Sequence, residues 1–268
     1  MCAAWAASAI ASASAGAAEL DCLIQPQRDI TLSAAIEGVV AEVLVERGDR
    51  VEKGQVVARL ESVVEQASVE VARARARADG QVISSEARLE LATTTYDRQK
   101  ALEDQRVISK GEIDEAIAAK RVAEAELLAA KDDRKLARLE LGRAEAFLER
   151  RAIRSPIDGV VVKRILSPGE YADPPEILEL AQVDPLRVEV YAPLELLGRI
   201  EVGMTAIVRP EQPVGGEHEA TVTVVDSAVD AASATFGVRL ELPNSDYAIA
   251  AGLNCRVEFP VQAAPASQ

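Results

Sequence analysis

The feature that most constrains the fold is a proline-free segment between residues 62 and 150. In its second half, steps of three and four residues separate eleven positions, and nine of these positions are apolar. The eleven are Ile113, Ala116, Lys120, Ala123, Leu127, Ala130, Arg134, Ala137, Leu141, Ala144 and Leu148. This spacing over five heptads is typical of one helix of a coiled coil.

The first half of the segment carries a similar row, which predicts a second helix. Its members are Val64, Ala67, Val71, Ala74 and Ala78, then, after a four-residue step, Val82, Ser85, Leu89, Ala92 and Tyr96. The pattern stops at residues 105–108, and Ser109-Lys110-Gly111-Glu112 has the form of a capping box that opens the next helix. We predict an antiparallel hairpin over 62–150 with two arms of about 42 residues, or about 60 Å, each.

Two similar β-rich stretches flank the hairpin. Residues 38–61 read GVVAEVLVERGDRVEKGQVVARLE, and SPIDGVVVKRILSPGEYADPPEILEL begins at Ser155. Gly159 aligns with Gly38 and Gly169 with Gly48, which makes an internal two-fold repeat. Because equal helical arms return to one place, the halves 18–61 and 151–183 are expected to pair as a single β domain.

A third region covers residues 184–260. It contains five short strand-like runs, at 186–190, 206–208, 221–225, 238–242 and 256–259. Such runs predict a small antiparallel β-barrel. The fold class is therefore α+β, and the tail 261–268 is expected to be disordered.

Charge and composition exclude several classes of function. The formal net charge is −14, of which the hairpin region, with 16 basic and 19 acidic residues over 61–150, carries only −3. An acidic chain of this kind does not bind nucleic acid, because phosphate binding needs a positive face. With one histidine, no nucleophile motif and no phosphate loop, the sequence predicts no enzyme, no cofactor and no metal site.

The first 17 residues resemble the back half of a secretory signal with a cleavage site near Ala17 or Ala18. A positive n-region is missing, so an unstructured terminus is the alternative. After cleavage two cysteines remain, Cys22 and Cys255. In an oxidising compartment they are candidates for one disulfide, and two ordinary buried thiols are the alternative.

The split repeat resembles biotinyl and lipoyl carrier domains, but helix replaces the turn after Leu60-Glu61 that would present a modified lysine. A lipoyl-like domain split by a hairpin and followed by a barrel resembles the periplasmic adaptor subunits, or membrane fusion proteins, over about residues 20–260. The resemblance implies a coiled-coil hairpin inserted into a lipoyl-like β-sandwich, with a small antiparallel β-barrel after it.

The same resemblance implies a periplasmic protein that bridges an inner-membrane transporter to a TolC-like outer-membrane channel for the efflux of small molecules. It also implies self-association into a ring, as a hexamer or a trimer of dimers. An RND-type pump is the expected transporter partner. The alternatives are an adaptor of an ABC-type exporter and a coiled-coil envelope scaffold without a transport role.

The hairpin tip sharpens the resemblance. Adaptors that dock on TolC-type channels carry Arg-x3-Leu-x6-Ser at the fold-back, and Arg98, Leu102 and Ser109 stand at that spacing here. The resemblance implies that these three residues dock on the channel. Each also has a structural alternative: Ser109 as a helix cap, Leu102 packed inside the hairpin, and Arg98 as a solvated charge.

Overall fold

Two β domains share a pair of long strands, and a helical hairpin projects from one of them. The computed structural model describes residues 17–173 and 176–262. Its strands are β1 (Ala17–Ser33), β2 (Gly38–Val43), β3 (Arg50–Val51), β4 (Val56–Leu60), β5 (Ala152–Arg154), β6 (Gly159–Arg164), β7 (Tyr171–Ala172), β8 (Glu176–Pro193), β9 (Thr205–Pro210), β10 (His218–Asp230), β11 (Thr235–Leu242) and β12 (Asn254–Gln262). Its helices are α1 (Val63–Arg77), α2 (Gly80–Asp104) and α3 (Lys110–Glu149).

Equivalent hydrogen bonds in the two halves of the lipoyl-like domain confirm the internal repeat. The amide of Gly48 donates to the carbonyl of Val161 at 2.8 Å, and the amide of Gly169 donates to the carbonyl of Val40 at 2.8 Å. Both glycines have positive φ, 93° and 90°, which their turns require. The sheet β5-β4-β2-β7 packs against β3, β6 and the inner ends of β1 and β8 around one apolar core.

The barrel closes through six strands in the order β1-β12-β9-β10-β11-β8, with β8 pairing back to β1. The five predicted runs lie in β8–β12. The sixth strand is the start of β1, so the assignment of 18–61 wholly to the lipoyl-like half is wrong at its beginning. Ala18, Cys22 and Ile24 are buried in the barrel core because every second residue of β1 points inward. A disulfide joins Cys22 to Cys255 on β12.

The ends of the barrel strands also change two predicted boundaries. Ala17 pairs with Gln262, so β12 extends into the segment 261–268 that was predicted to be disordered. Ladder pairing with β1 explains why these last residues are ordered as strand. The signal-like residues 1–16 and the end of the tail, 263–268, lie outside the described residues.

In α3 all eleven predicted seam positions are buried or half-buried, which confirms the heptad pattern. The two polar members each have a partner on the opposite arm. The Lys120 ammonium lies 5.1 Å from the ring centroid of Tyr96, and the Arg134 guanidinium lies 3.1 Å from the Asp79 carboxylate. Polar residues at a seam specify the register of the two helices at some cost in stability.

The first arm differs from the prediction. The row of Val64, Val71 and their neighbours is exposed, and α1 instead turns Val69 and Ala76 toward α3. The arm is also broken, because Ala78 is extended (ψ 98°) between α1 and α2. In α2 the predicted row resumes, with Val82 buried against α3. From Ala76 to Val82 the seam therefore advances six residues where a heptad needs seven.

Two arginines fix the base of the hairpin to the lipoyl-like domain. Arg150 donates to the carbonyl of Ala35 at 3.0 Å, and Arg151 donates to the carbonyl of Glu37 at 3.4 Å. The Arg151 guanidinium also pairs with Glu65 of α1 at 2.6 Å, where both side chains are about four-fifths covered (22% and 21% exposed). The arms are thus anchored where they leave the β domain.

Candidate functional site at the hairpin tip

The fold-back turn after α2 is a Schellman motif, a helix end closed by two backbone hydrogen bonds. The amide of Val107 donates to the carbonyl of Leu102 at 2.9 Å, and the amide of Arg106 donates to that of Glu103 at 2.7 Å. Arg106 takes the left-handed position of the motif with φ 59°. Glycine is the usual residue there, so the sequence held no signal for this turn.

Ser109 opens α3 through the predicted capping box. Its hydroxyl accepts from the amide of Glu112 at 3.4 Å and donates to the Glu112 carboxylate at 2.9 Å, while its own amide donates to the same carboxylate at 2.8 Å. The amide of Ser109, and then its hydroxyl, hold the pKa of Glu112 below its ordinary value. The turn between the arms is therefore braced at both helix ends.

The structure brings the three predicted docking residues to the same end of the hairpin. Arg98 is exposed on α2, and its guanidinium has no hydrogen bond or ion pair to any described residue. Leu102 is half-buried one turn further along, and Ser109 is exposed at the start of α3. Ser109 thus fills the capping role, whereas the guanidinium of Arg98 is left without a partner among the residues that the structure describes.

Val107 is a further tip residue that the sequence reasoning missed. Its side chain is 66% exposed at the centre of the turn, between the two helix caps. An isolated valine in a short loop carries no pattern, so only its place in the turn identifies it. Together, Arg98 and Val107 give the tip a cation that is unpaired among the described residues, beside the exposed Arg106 and Lys110 of the same region, and an exposed apolar side chain on an ordered turn.

Within residues 17–173 and 176–262, no three potential metal-ligating side chains cluster together. Helices of the described part of the chain are also too short or too polar to cross a membrane.

Two family models match the chain in succession. Residues 28–181 match the CzcB-like barrel-sandwich hybrid domain, and residues 186–263 match the CusB-like β-barrel domain. The first model alone covers more than half of the chain, and it includes the whole hairpin.

Individual proteins agree with these matches. The cobalt-zinc-cadmium resistance protein CzcB of Cupriavidus metallidurans is 27% identical over 83% of this chain and 41% of its own length. The macrolide export protein MacA of Yersinia pestis is 25% identical over 87% of this chain and 64% of its own length. This chain therefore spans less than two thirds of either relative.

A solved structure shows the same fold. The crystal structure of MacA from Actinobacillus actinomycetemcomitans superposes with a TM-score of 0.73 at 20% identity, over 91% of this chain and 78% of that one. The split lipoyl-like domain, the inserted hairpin and the barrel occur in the order that the family models require. The chain belongs to the CzcB-like family of membrane fusion proteins, the adaptor subunits of efflux systems.

Proposed function

We propose that this chain is a periplasmic adaptor that bridges an inner-membrane exporter to a TolC-like outer-membrane channel during the efflux of small molecules. The observation that carries the proposal is the hairpin tip, where Arg98 is exposed near the end of α2 and Val107 is exposed on the turn that Leu102 and Ser109 brace. An arm of about 60 Å that carries an exposed arginine near its far end, unpaired within the described part of the chain, is suited to docking.

The chemistry of the tip suits a channel entrance made of helix ends and acidic side chains. An arginine guanidinium offers five donors in a fixed fork and binds carbonyl or carboxylate oxygens strongly. Val107 adds an exposed apolar side chain on the turn itself. In this proposal Ser109 and Leu102 hold the turn in shape, and Arg98 makes the polar contact with the channel.

For the inner-membrane partner we propose a pump of the RND class. The barrel domain matches a CusB-like model that is named for that class, and CzcB is named as part of a cation efflux system in one relative. Relatives are named for both metal resistance and macrolide export, so the cargo of this chain is proposed only as a small molecule.

The docking proposal is tested by reversing the charge at Arg98. Arg98→Asp is expected to abolish co-purification of the outer-membrane channel and to lower export at least tenfold, because a carboxylate would repel the acceptor groups. Arg138→Asp is the matched control, since Arg138 is also exposed on the hairpin but lies about eight helical turns from the tip. Equal co-purification with both variants would contradict docking through Arg98.

We also propose that copies of the chain associate side by side into a ring, through α1. The row of Val64, Ala67 and Val71 has heptad spacing yet faces away from α3, with Val64 74% exposed. Together with Phe147 of α3 it borders a groove of about 790 Å³ at the hairpin base. A heptad row without a partner in its own hairpin suits a helix from a second copy.

Mass photometry of the full chain tests this assembly. Val64→Glu combined with Val71→Glu is expected to reduce the ring to smaller species, while leaving the helical circular dichroism signal unchanged because both residues are exposed. Leu128→Glu places the same charge on another exposed apolar residue, 62% exposed on α3, as the control. If the oligomer survives the double substitution, α1 is not the contact surface.

A further inference from the structure

A ribbon of two strands joins the two β domains. β1 and β8 run through both domains and pair antiparallel from Cys22 opposite Val190 to Ser33 opposite Glu176. Their ladder shifts register between Pro26 and Arg28, at the crossing from barrel to lipoyl-like domain. Proline donates no ladder hydrogen bond, and a register shift bends a strand, so this crossing is where the ribbon resists bending least.

A separate contact spans the two domains beside the ribbon. Arg50, at the start of β3 in the lipoyl-like domain, places its guanidinium carbon 4.1 Å from the ring centroid of Tyr247. Tyr247 belongs to the barrel loop between β11 and β12. Arg50 also reaches the backbone carbonyl of Asp246, with 3.4 Å between Nη2 and the oxygen. A cation over an aromatic face is attracted by the ring quadrupole.

The barrel loop is shaped so that it presents this ring. Tyr247 has φ 62°, in the left-handed region that a bulky aromatic residue rarely adopts. Its amide donates to the carbonyl of Asn244 at 2.9 Å. Asn244 is buried, and its side chain bonds to the carbonyl of Val183 at 2.9 Å and to both backbone groups of Ile249 at 3.0 Å. Tyr247 is thus kept in a strained backbone conformation by the hydrogen bonds of the buried Asn244 side chain. Strain that is held in place in this way is typical of residues with a functional contact.

The facing surfaces of the domains are not packed together at this place. A cleft of about 610 Å³ lies between them, with Val160 and Val162 on the lipoyl-like side and Ile249 on the barrel side. Arg50 and Tyr247 also border the cleft. The contact between the Arg50 guanidinium and the Tyr247 ring therefore bridges a cleft in which the two domains are not otherwise packed together.

We propose that the Arg50–Tyr247 stack is a latch that holds the angle between the barrel and the lipoyl-like domain, and that its release lets the ribbon bend at Pro26. The consequence is largest at the tip. A rotation of about 10° at the crossing would move the end of an arm about 60 Å long by about 10 Å. This inference concerns the chain alone and does not depend on the docking or ring proposals.

Distance measurements by pulsed electron paramagnetic resonance test the latch on the full chain. Nitroxide labels at Lys53→Cys in the lipoyl-like domain and Glu219→Cys in the barrel, both exposed positions, report the angle between the domains. Cys2→Ser removes the third cysteine of the sequence, and the bonded Cys22 and Cys255 do not react with the label.

Two substitutions remove the two sides of the stack. Arg50→Gln removes the cation, and Tyr247→Asn removes the ring but suits the left-handed backbone, so that the loop keeps its shape. Each is expected to raise the population of a second, displaced distance about fivefold, which corresponds to the loss of one exposed cation–π contact. The matched control is Arg47→Gln, an exposed arginine in the same turn.

The double variant distinguishes a shared contact from two separate effects. If Arg50 and Tyr247 act only through each other, the double variant shows the same displaced population as either single variant. Unchanged distance distributions in both single variants, or displacement equal to that of Arg47→Gln, would overturn the latch. Additive effects in the double variant would overturn it as well.

Discussion

At the scale of single residues, Ser85 is a polar group that the hairpin buries without a partner. Its side chain is fully covered, and its hydroxyl has no hydrogen bond to the described residues. An unsatisfied buried hydroxyl costs about 1 kcal/mol or more of stability. Ser85→Ala is therefore expected to stabilise the protein by about 1 kcal/mol more than Ser84→Ala, the exposed neighbour on the same helix. Chemical unfolding of the two variants measures the difference, and equal stabilities would show that Ser85 carries no penalty.

Glu112 gives the tip a dependence on pH whose direction is determined by its capping role. The Ser109 amide and hydroxyl lower the folded-state pKa of Glu112 from its ordinary value of 4.5. A carboxyl with a lowered pKa contributes stability above its unfolded pKa and loses that contribution as the pH falls through the folded pKa. We expect the wild type to lose more stability than Glu112→Gln between about pH 5 and pH 3. Parallel losses in urea unfolding would contradict the capping contribution.

At the scale of elements, the break in the first arm follows from one missing residue. The seam steps from Ala76 to Val82, one short of a heptad, while α3 keeps strict heptads along the same length. A helix cannot absorb a change of this size by winding alone, and the extended Ala78 makes up the lost rise. The six-residue step could not be predicted from the sequence. Two apolar rows run along α1, one of them with Val64 and Val71, and periodicity alone does not show which row faces α3.

Inserting one residue at the break is expected to give a continuous first helix. An alanine inserted between Ala78 and Asp79 returns the step to seven residues, so we expect α1 and α2 to join and the helical circular dichroism signal and melting temperature to rise. The same insertion between Ala137 and Arg138 of α3 interrupts intact heptads and is expected to lower both. Matching decreases from the two insertions would contradict this explanation of the break.

At the scale of the whole molecule, periodicity and repetition predicted most of the architecture. The heptads of α3, the paired glycine turns and the positions of five barrel strands could be predicted, because each has a recognisable pattern in the sequence. The sixth barrel strand could not be predicted. It is the first part of β1, which continues into the lipoyl-like domain, and the alternation of buried and exposed residues shows no boundary between the two parts. At the tip, the resemblance to the adaptor motif indicated Arg98, Leu102 and Ser109 as candidates. Val107 was not indicated, because its place in the turn depends on the left-handed Arg106, for which the sequence carries no turn motif.

The disulfide lies in the barrel and links two of its neighbouring strands. It joins β1 to β12 across a sequence separation of 233 residues. Cross-links that close long loops restrict the unfolded chain strongly, so replacing both Cys22 and Cys255 with serine is expected to cost about 2–5 kcal/mol. Thermal unfolding with and without reductant should reproduce the loss in the wild type and leave the double variant unchanged. If the reductant does not change the melting temperature of the wild type, the disulfide does not make this contribution.

The claim that the tip of the hairpin meets an outer-membrane channel is tested most directly by site-specific photocrosslinking in cells that express the chain from its own locus. A photoreactive amino acid is placed at Val107, in the tip, or at Leu139, which is similarly exposed but lies about three quarters of the way along α3 from the tip. Docking predicts a covalent adduct between Val107 and an outer-membrane protein, lost on Arg98→Asp, and no such adduct from Leu139. An outer-membrane adduct from Leu139 alone, or from neither position, would contradict the account.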